Sequence, residues 1–141
     1  MKIIDCEFHY YLPELMEYLS TREETPRYIP EEKVFVPRDN VYANFAGVTN
    51  TYSIIDELMN FGDERVAEMD RNGVFIGVMA SSAALEELPR EESVYFARKS
   101  NDAVAELVKR YPGRFVGSAV LPTPYVDEAT GKNYKFNVNS Q

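Results

Sequence analysis

Glu7 and His9, near the amino terminus, have the residue types and the spacing of metal ligands. They lie in the segment IIDCEFH, residues 3–9, whose short run of apolar residues on one parity predicts a first β-strand. Residues two apart on a strand point to the same face and are separated by about 6–7 Å. A carboxylate and an imidazole placed there can reach one divalent ion, each at about 2.0–2.2 Å. The Glu-x-His pattern therefore indicates half of a metal site at the carboxyl end of this strand.

The rest of the segment leaves a second interpretation open. Strict alternation adds Asp5 to the face of the two candidate ligands and places Cys6 and Phe8 on the other face, where Cys6 would be an inert core thiol. A polar face on an amino-terminal strand is also typical of a solvated sheet edge. Because His9 is the only histidine, the further ligands of a catalytic site would have to be carboxylates or come from sequence that is not present.

Other polar residues have weaker claims to chemistry. Asn101 interrupts an apolar helical stripe, and we expect its amide to satisfy a nearby backbone group. Ser81 and Ser82 follow a predicted strand, where capping a helix is favoured over contacting a ligand, since no base for nucleophilic catalysis stands beside them. Three arginines in or near a long loop could grip a carboxylate, but solvated surface charges are the favoured interpretation for Arg22, Arg27 and Arg38.

Composition limits the classes of partner. The chain has 141 residues and a formal net charge of −8. Nucleic acids and anionic membranes bind basic patches, so we expect neither as a partner. A small carboxylate substrate is not excluded, because a metal ion would supply local positive charge. The single cysteine rules out an internal disulfide and fits a cytoplasmic location, and the first residues lack the pattern of a signal peptide.

Hydrophobic periodicity predicts alternating strands and helices. Two further buried strands are predicted at residues 74–79 (VFIGVM) and 115–121 (FVGSAVL). Helices are predicted at residues 13–20, at 54–72 in two pieces around Gly62 with caps at Ser53 and Asp63, and at 91–111. This order implies a parallel sheet, either open and doubly wound or part of a barrel. In both architectures functional sites lie at the carboxyl ends of the strands.

Two segments fall outside this alternation. Residues 21–50 contain three prolines and scattered aromatic residues, which predict a packed loop of about 30 residues, a length that is usually functional or disordered. Near the carboxyl terminus, Tyr134, Phe136 and Val138 alternate with polar residues and indicate a fourth strand.

Three segments occur in a characteristic order and spacing. They are IIDCEFH, then RVAEMDRNGV followed by a strand and a serine pair, then ARKSNDAVAELVKRYPGRFVGSAVLP. Together they resemble the amidohydrolase-related decarboxylases, the branch that includes the aminocarboxymuconate-semialdehyde and resorcylate decarboxylases. The resemblance covers most of residues 1–9 and 65–125, whereas residues 21–50 and the tail after 129 do not carry it.

The resemblance implies an α/β fold, with parallel β/α units forming part of a TIM-type (β/α)8 barrel, and one divalent metal ion, Zn or Mn. The first-strand ligands of such enzymes correspond to Glu7 and His9. Members of this branch release CO2 from aromatic or unsaturated carboxylic acids, and their relatives hydrolyse C–N, C–O or C–C bonds. The expected function is therefore a metal-dependent carboxy-lyase. A hydrolase of the same fold and a non-catalytic half-barrel that binds a ligand or a partner chain are the alternatives.

The length of the chain departs from the family pattern. A (β/α)8 barrel takes about 200–250 residues or more, and the histidine and aspartate that the family supplies from later strands have no counterpart here. We therefore expect residues 1–141 to form a single domain, the amino-terminal portion of a barrel, from a truncated or internally deleted product or a fragment. An incomplete sheet leaves edges that must be paired or covered, which predicts a homo-oligomer.

Overall fold

The computed structural model describes residues 2–37, 55–81, 84–122, 126–127 and 132–133. In chain order its elements are β1 (Ile3–Tyr10), α1 (Pro13–Ser20), β2 (Arg27–Ile29), β3 (Val34–Val36), α2 (Ile55–Leu58), α3 (Asp63–Arg71), β4 (Val74–Ser81), a 3-10 turn (Leu85–Glu87), α4 (Arg90–Arg110), β5 (Phe115–Gly117), β6 (Val126–Asp127) and β7 (Lys132–Asn133). Among these residues, no helix combines the length and the apolar character that crossing a membrane requires.

Strands β1, β4 and β5 form a parallel sheet in the spatial order β1–β4–β5. Helices α1 to α3 lie between β1 and β4 along the chain, and α4 lies between β4 and β5. Strands joined through helices in this way are the β/α units that the sequence predicts. The α/β class is therefore confirmed. The antiparallel pair β6–β7 stands apart from this sheet.

Local sequence explains where α1 begins and how it packs. Pro13 occupies the first turn, where its fixed backbone angle suits a helix start and its missing N–H costs no hydrogen bond. Glu14 adds a favourable negative charge to the same turn. One side of the helix is buried through Leu15, Met16 and Leu19. The predicted bounds of 13–20 are confirmed.

The ends of α3 differ slightly from the prediction. Gly62 occupies the N-cap position without a side-chain hydrogen bond, so the predicted Asp63 cap is wrong, and Asp63 instead lies in the first turn. Gly73 follows the helix with φ of 69°, a left-handed conformation that glycine adopts without strain. The predicted end of this helix is therefore confirmed. Ser53, the other predicted cap, lies outside the described residues.

Helix α4 buries a different stripe from the predicted one. The periodicity of the sequence predicts a stripe that includes Ala97 and Val104, which are buried, but its other four positions are only half-buried: Val94, Asn101, Val108 and Tyr111. The fully packed side consists of Ser93, Phe96, Ala97, Ser100, Val104 and Leu107. Two small serines allow close packing, and a hydrophobicity pattern does not count serine as a core residue. The observed stripe is rotated from the prediction for that reason.

Two glycines show which face of the sheet meets the helices. A Cβ on Gly77 would lie 2.5 Å from the ring of Phe8, and a Cβ on Gly117 would lie 2.5 Å from Cγ1 of Val104. Val104 belongs to α4, so this face packs against the helices. The core between this face of the sheet and the helices contains Tyr10, Met69, Met79, Val104, Leu107 and Phe115.

The opposite side of the sheet carries no helix among the described residues, and we call it the open face. Alternation along the strands assigns to it Ile4, Val78, Ala80 and Val116. Ile4 is 56% exposed and Val116 is 51% exposed. The open face is therefore apolar and accessible in the structure described.

The segment predicted as a loop contains a hairpin. Strands β2 and β3 pair antiparallel, with Lys33 in a left-handed conformation just before β3. Phe35 is buried and its ring lies 5.2 Å from that of Tyr11, which attaches the hairpin to the end of β1. Three-residue strands between prolines are too short for periodicity to detect, so the loop prediction is wrong at 27–29 and 34–36.

The strand after α4 is shorter than predicted. Pairing ends at Gly117 instead of 121, with one further bond from the Ser118 N–H to the Met79 carbonyl at 3.0 Å. Beyond it, Val120 bonds to the side chain of Asn101 instead of to a strand. This confirms the structural role predicted for Asn101. The predicted fourth strand, at 134–138, lies outside the described residues.

Candidate metal half-site at the carboxyl end of the first strand

Strand β1 contains a bulge that includes Glu7, the first of the two candidate ligands. Asp5 pairs with Gly77 and Phe8 pairs with Met79, so two residues of β1, Cys6 and Glu7, lie opposite one residue of β4. An extra residue of this kind disturbs the ladder and reorients the side chains around it. The N–H of Glu7 donates to Oδ1 of Asp5 at 3.0 Å, which satisfies a backbone group within the irregularity.

The bulge changes which side chains share a face. Asp5 and Phe8, three positions apart, both lie on the face that meets the helices, opposite Gly77 and Met79. The prediction that Asp5 joins the candidate ligands is therefore wrong. Cys6 is exposed, and the prediction of a core thiol is also wrong. In both cases the extra residue breaks the alternation on which the prediction depended.

Glu7 and His9 flank Phe8. Regular alternation after the bulge directs His9 away from the face of Phe8, and Glu7, the bulge residue next to Phe8, is assigned to the same side as His9. His9 pairs with Ala80 of β4. The Glu7 side chain is exposed, and His9 is half-buried. Two potential ligands thus emerge beside each other at the carboxyl end of β1, on the open face.

The donor atoms of Glu7 and His9 are of the types that could provide half of the coordination shell of a divalent metal ion. Nδ1 of His9 is buried and has no hydrogen-bond partner among the described residues. An imidazole nitrogen without a partner and an exposed carboxylate match the donor types that Zn²⁺ and Mn²⁺ accept. No group of three histidine, cysteine, aspartate or glutamate side chains in the described part of the chain is arranged to hold a metal ion. Glu7 and His9 therefore provide at most two of the protein ligands.

Arg65 holds the carboxyl end of β1 from its free edge. Its Nη2 donates to the His9 carbonyl at 2.5 Å, and its Nη1 donates to the Glu57 carbonyl at 2.8 Å. The guanidinium carbon lies 4.2 Å from the ring centroid of Phe8. Arg65 is only 9% exposed; burial lowers its pKa, and the nearby charge of Asp5 acts in the opposite direction.

No pattern of chemistry-bearing residues in the sequence includes Arg65. It lies in RVAEMDRNGV, one of the three segments that carry the resemblance. A signal was nevertheless available, because Arg65 and Met69 are four positions apart and share the buried side of α3. A cation on the apolar side of a helix indicates a buried partner.

A group of hydroxyls lies behind the candidate ligands, on the helix-facing side. Tyr10 is completely buried and pairs with Ser81 across the strands. Burial raises the pKa of Tyr10, and the neighbouring hydroxyls of Ser100 and Ser81 lower it. The hydroxyls of Tyr10, Ser93 and Ser100 have no hydrogen bond of regular geometry within the described residues. Ser100 and Ser81 are therefore close neighbours of Tyr10 that are not well aligned with it.

The serine pair does not have its predicted role. Ser81 is the last residue of β4, and Ala84 occupies the N-cap position of the following 3-10 turn with φ of 51°. The predicted helix cap is therefore wrong for Ser81, because β4 continues two residues farther than predicted. Ser82 lies outside the described residues.

The arginines of the long loop are structural where they are described. Nε of Arg22 donates to the Pro26 carbonyl at 3.0 Å, and its Nη1 donates to the Tyr18 hydroxyl at 3.1 Å. Arg27 is half-buried in β2. Arg38 lies outside the described residues. Arg22 thus stabilises the turn between α1 and β2, and its hydrogen bonds are not made to the candidate ligands.

A cavity of about 610 Å³ lies beside β1 on the helix-facing side. Asp5, Phe8, Arg65 and Met69 contribute to its lining. Glu7 and His9 project from the opposite face, so this cavity is not where a metal bound to them would lie.

Comparison with known proteins identifies relatives of the chain. Gamma-resorcylate decarboxylase from Rhizobium radiobacter is 35% identical over 75 residues, which are 52% of this chain and 23% of that protein. The enzyme of the same name from Rhodococcus jostii (strain RHA1) is 31% identical over 102 residues, 70% of this chain and 31% of that protein. This chain is homologous to part of the gamma-resorcylate decarboxylases. No family model matches it.

The fold agrees with these relatives. The crystal structure of 5-carboxyvanillate decarboxylase from Novosphingobium aromaticivorans, solved with manganese and 4-hydroxy-3-methoxy-5-nitrobenzoic acid, superposes with a TM-score of 0.63 at 21% identity. The match covers 85% of this chain and 34% of that one. Such neighbours are TIM-barrel decarboxylases, so the predicted resemblance and the parallel β/α architecture are confirmed. The chain spans less than a third of the length of the two resorcylate decarboxylases.

Proposed function

We propose that the chain provides the first strands of a metal-dependent carboxy-lyase that releases CO2 from a small aromatic carboxylic acid. Glu7 and His9 are two ligands of its single divalent ion, Zn or Mn. The observation that carries this proposal is the position of Glu7 and His9, which emerge on the open face at the carboxyl end of the first parallel strand. Homology to gamma-resorcylate decarboxylases supports the reaction class.

The open face suits an aromatic acid next to such a site. When bound, the ion would orient the oxygens of the substrate and offset the negative charge that develops as CO2 leaves. Glu7 contributes an anionic oxygen and His9 a ring nitrogen. Val78, Ala80 and Val116 form an apolar wall beside them, against which an aromatic ring can pack while water is displaced. Apolar walls with a few polar groups at one end are typical of small-molecule sites.

The remaining properties follow from charge and exposure. With a net charge of −8, the partner is a small carboxylate held by the metal, and neither nucleic acid nor an anionic membrane is expected. Self-association is expected because apolar residues are exposed on the open face and no described strand pairs with the free edge of β1. The single cysteine, which is exposed, fits a cytoplasmic location.

Metal content tests the half-site. The protein is purified without added metal, exposed to Mn²⁺ or Zn²⁺, dialysed and analysed by elemental mass spectrometry. We expect the wild type to retain more metal than Glu7→Ala, His9→Ala and the double variant, and Glu17→Ala, which alters an exposed carboxylate on α1, to match the wild type. Equal metal in the wild type and in the double variant would refute the proposed site.

The reaction is tested with the metal-loaded protein. We expect CO2 release from one or more members of a panel of hydroxylated benzoates, and loss of release in His9→Ala. Turnover of lactones or amides without CO2 release would contradict the lyase and favour a hydrolase. Metal binding without turnover of either panel would favour the non-catalytic half-barrel.

A further inference from the structure

We infer that Arg65 is a positioning residue that fixes the orientation of His9 for metal binding. This inference rests on the proposed function, because it concerns the same half-site. Arg65 does not project toward the open face and would not contact the metal. It acts through the backbone of His9.

Arg65 binds at one edge of strand β1. Strand β1 pairs with β4 on one side, and no described strand pairs with its other side. At the carboxyl end of that free side, Arg65 donates to the His9 carbonyl at 2.5 Å, and the next N–H on this edge, that of Tyr11, donates to the Leu58 carbonyl at 3.0 Å. Two consecutive polar groups of this edge, which pairs with no described strand, are thus satisfied by groups of α2 and α3.

The position of the His9 carbonyl affects the direction of the His9 side chain. The carbonyl belongs to the rigid peptide plane between His9 and Tyr10. Holding that plane limits the rotation about the Cα–C bond of His9, and so limits the direction in which its Cβ points. Metal–ligand distances tolerate deviations of only about 0.2 Å, so a strand end that frays would lose the ligand. Completely buried Tyr10 anchors the same plane from the helix-facing side.

The contacts at position 65 require an arginine. A guanidinium has several donors in a planar fork, and here the fork bridges two carbonyls, of Glu57 and His9, that belong to different elements. The face of Phe8, 4.2 Å away, stabilises the cation against the cost of burial. A lysine at this position would place one point charge where two directed bonds are needed.

A second arginine of similar chemistry supplies the matched control. Arg114 donates to the carbonyls of Phe75 and Val74 at 3.1 and 3.3 Å and to Asp70 at 2.7 Å. It therefore also ties a helix to strand backbone, but at the amino end of β4, away from the candidate ligands. Loss of these hydrogen bonds should lower the stability of the protein, but none of them is made to His9.

The experiment uses the single histidine as its reporter. Mn²⁺ is titrated into the ¹⁵N-labelled protein, and paramagnetic broadening of the imidazole signals of His9 gives the dissociation constant for the folded protein. In Arg65→Lys we expect this constant to rise about tenfold, as for other residues that orient a metal ligand. In Arg114→Lys we expect the wild-type value. In the metal-free protein, we also expect the Tyr11 amide to exchange its hydrogen faster in Arg65→Lys than in Arg114→Lys.

The outcomes separate this inference from the proposed function. If Arg65→Lys binds Mn²⁺ as tightly as the wild type while His9→Ala does not bind it, the half-site stands and the positioning role is overturned. If Mn²⁺ does not broaden the imidazole signals of His9 in the wild type, the proposed function fails. If the Tyr11 amide in Arg65→Lys then also exchanges its hydrogen at the wild-type rate, the role of Arg65 is overturned as well. Should Arg65→Lys fail to fold, Arg65→Gln, an uncharged donor, takes its place in both measurements.

Discussion

Asn101 and Val120 exchange two hydrogen bonds. The Nδ2 of Asn101 donates to the Val120 carbonyl at 2.9 Å, and the Val120 N–H donates to the Asn101 Oδ1 at 2.8 Å. A side-chain amide thereby replaces a strand partner for the backbone just after β5. The segment that leaves the carboxyl end of the sheet is tied to α4 at this point.

Replacing Asn101 should destabilise the protein. We expect Asn101→Ala to lower the free energy of unfolding by about 1–3 kcal/mol, because two part-buried backbone groups lose their partners. Urea denaturation followed by circular dichroism measures the change. Asp102→Ala, at an exposed position of the same helix, is the control. Equal stability of the two variants would contradict the role assigned to the amide.

A side chain at position 77 should clash with Phe8. We expect Gly77→Ala to lower the free energy of unfolding by about 1–3 kcal/mol, since its Cβ would lie 2.5 Å from the ring. In the background of Phe8→Leu, the same substitution should cost less, because the ring that it meets is gone. A double-mutant cycle by urea denaturation measures this coupling. Strictly additive effects would show that the ring is not the obstacle.

Tyr10 should make stability depend on alkaline pH. Burial raises the pKa of Tyr10 above its ordinary value of 10.0. The unfolded chain therefore loses this proton first, and the stability that the protonated group contributes is complete below pH 10 and is lost as pH rises toward the pKa of the folded state. We expect Tyr10→Phe to show a smaller decline in unfolding free energy between pH 8 and about 10.5 than the wild type.

The same substitution should cost little at neutral pH. The Tyr10 hydroxyl has no well-aligned partner among the described residues, so we expect Tyr10→Phe to change stability by no more than about 1 kcal/mol at pH 7. Tyr10→Leu, which removes the ring from the core, serves as the contrast and should destabilise more strongly. Parallel pH profiles for the wild type and Tyr10→Phe would rule out Tyr10 as the source of the alkaline decline.

Charge on the open face should reduce self-association. Val116 is 51% exposed on that face, and we expect Val116→Glu to lower the apparent mass in light scattering coupled to size exclusion. Leu121→Glu changes an apolar residue that is 69% exposed beyond β5 and should leave the mass unchanged. A wild-type mass equal to that of one chain at all concentrations would contradict the expected homo-oligomer.

Local signals explain how much of the fold could be predicted from the sequence. Pro13 has a fixed φ that suits a helix start, and Gly73 adopts a left-handed conformation that other residues avoid, so the start of α1 and the end of α3 follow from single residues. The apolar residues on one parity of β1 and the continuous apolar run of β4 also predict strands. The β2–β3 hairpin has no such signal, because its strands have three residues each and owe their position to the packing of Phe35 on Tyr11.

The candidate site could be predicted only in part. Glu7 and His9 follow from residue type and spacing, whereas the correct face of Asp5 does not, because a bulge depends on how β1 aligns with β4. For Arg65 the sequence indicates a buried cation but not its partners, since its acceptors are backbone carbonyls, 8 and 56 positions away. Any residue type can supply a backbone carbonyl, so sequence alone does not reveal the partner.

The glycine at position 117 has a mechanical consequence for the sheet. Val104 of α4 fills the volume that a side chain there would occupy. Sliding the helix toward Phe115, the other residue of β5 on this face, would drive this methyl group against an aromatic ring, so the interlocking shapes oppose small translations between the two layers. Helix α4 is therefore held at a fixed position along β5.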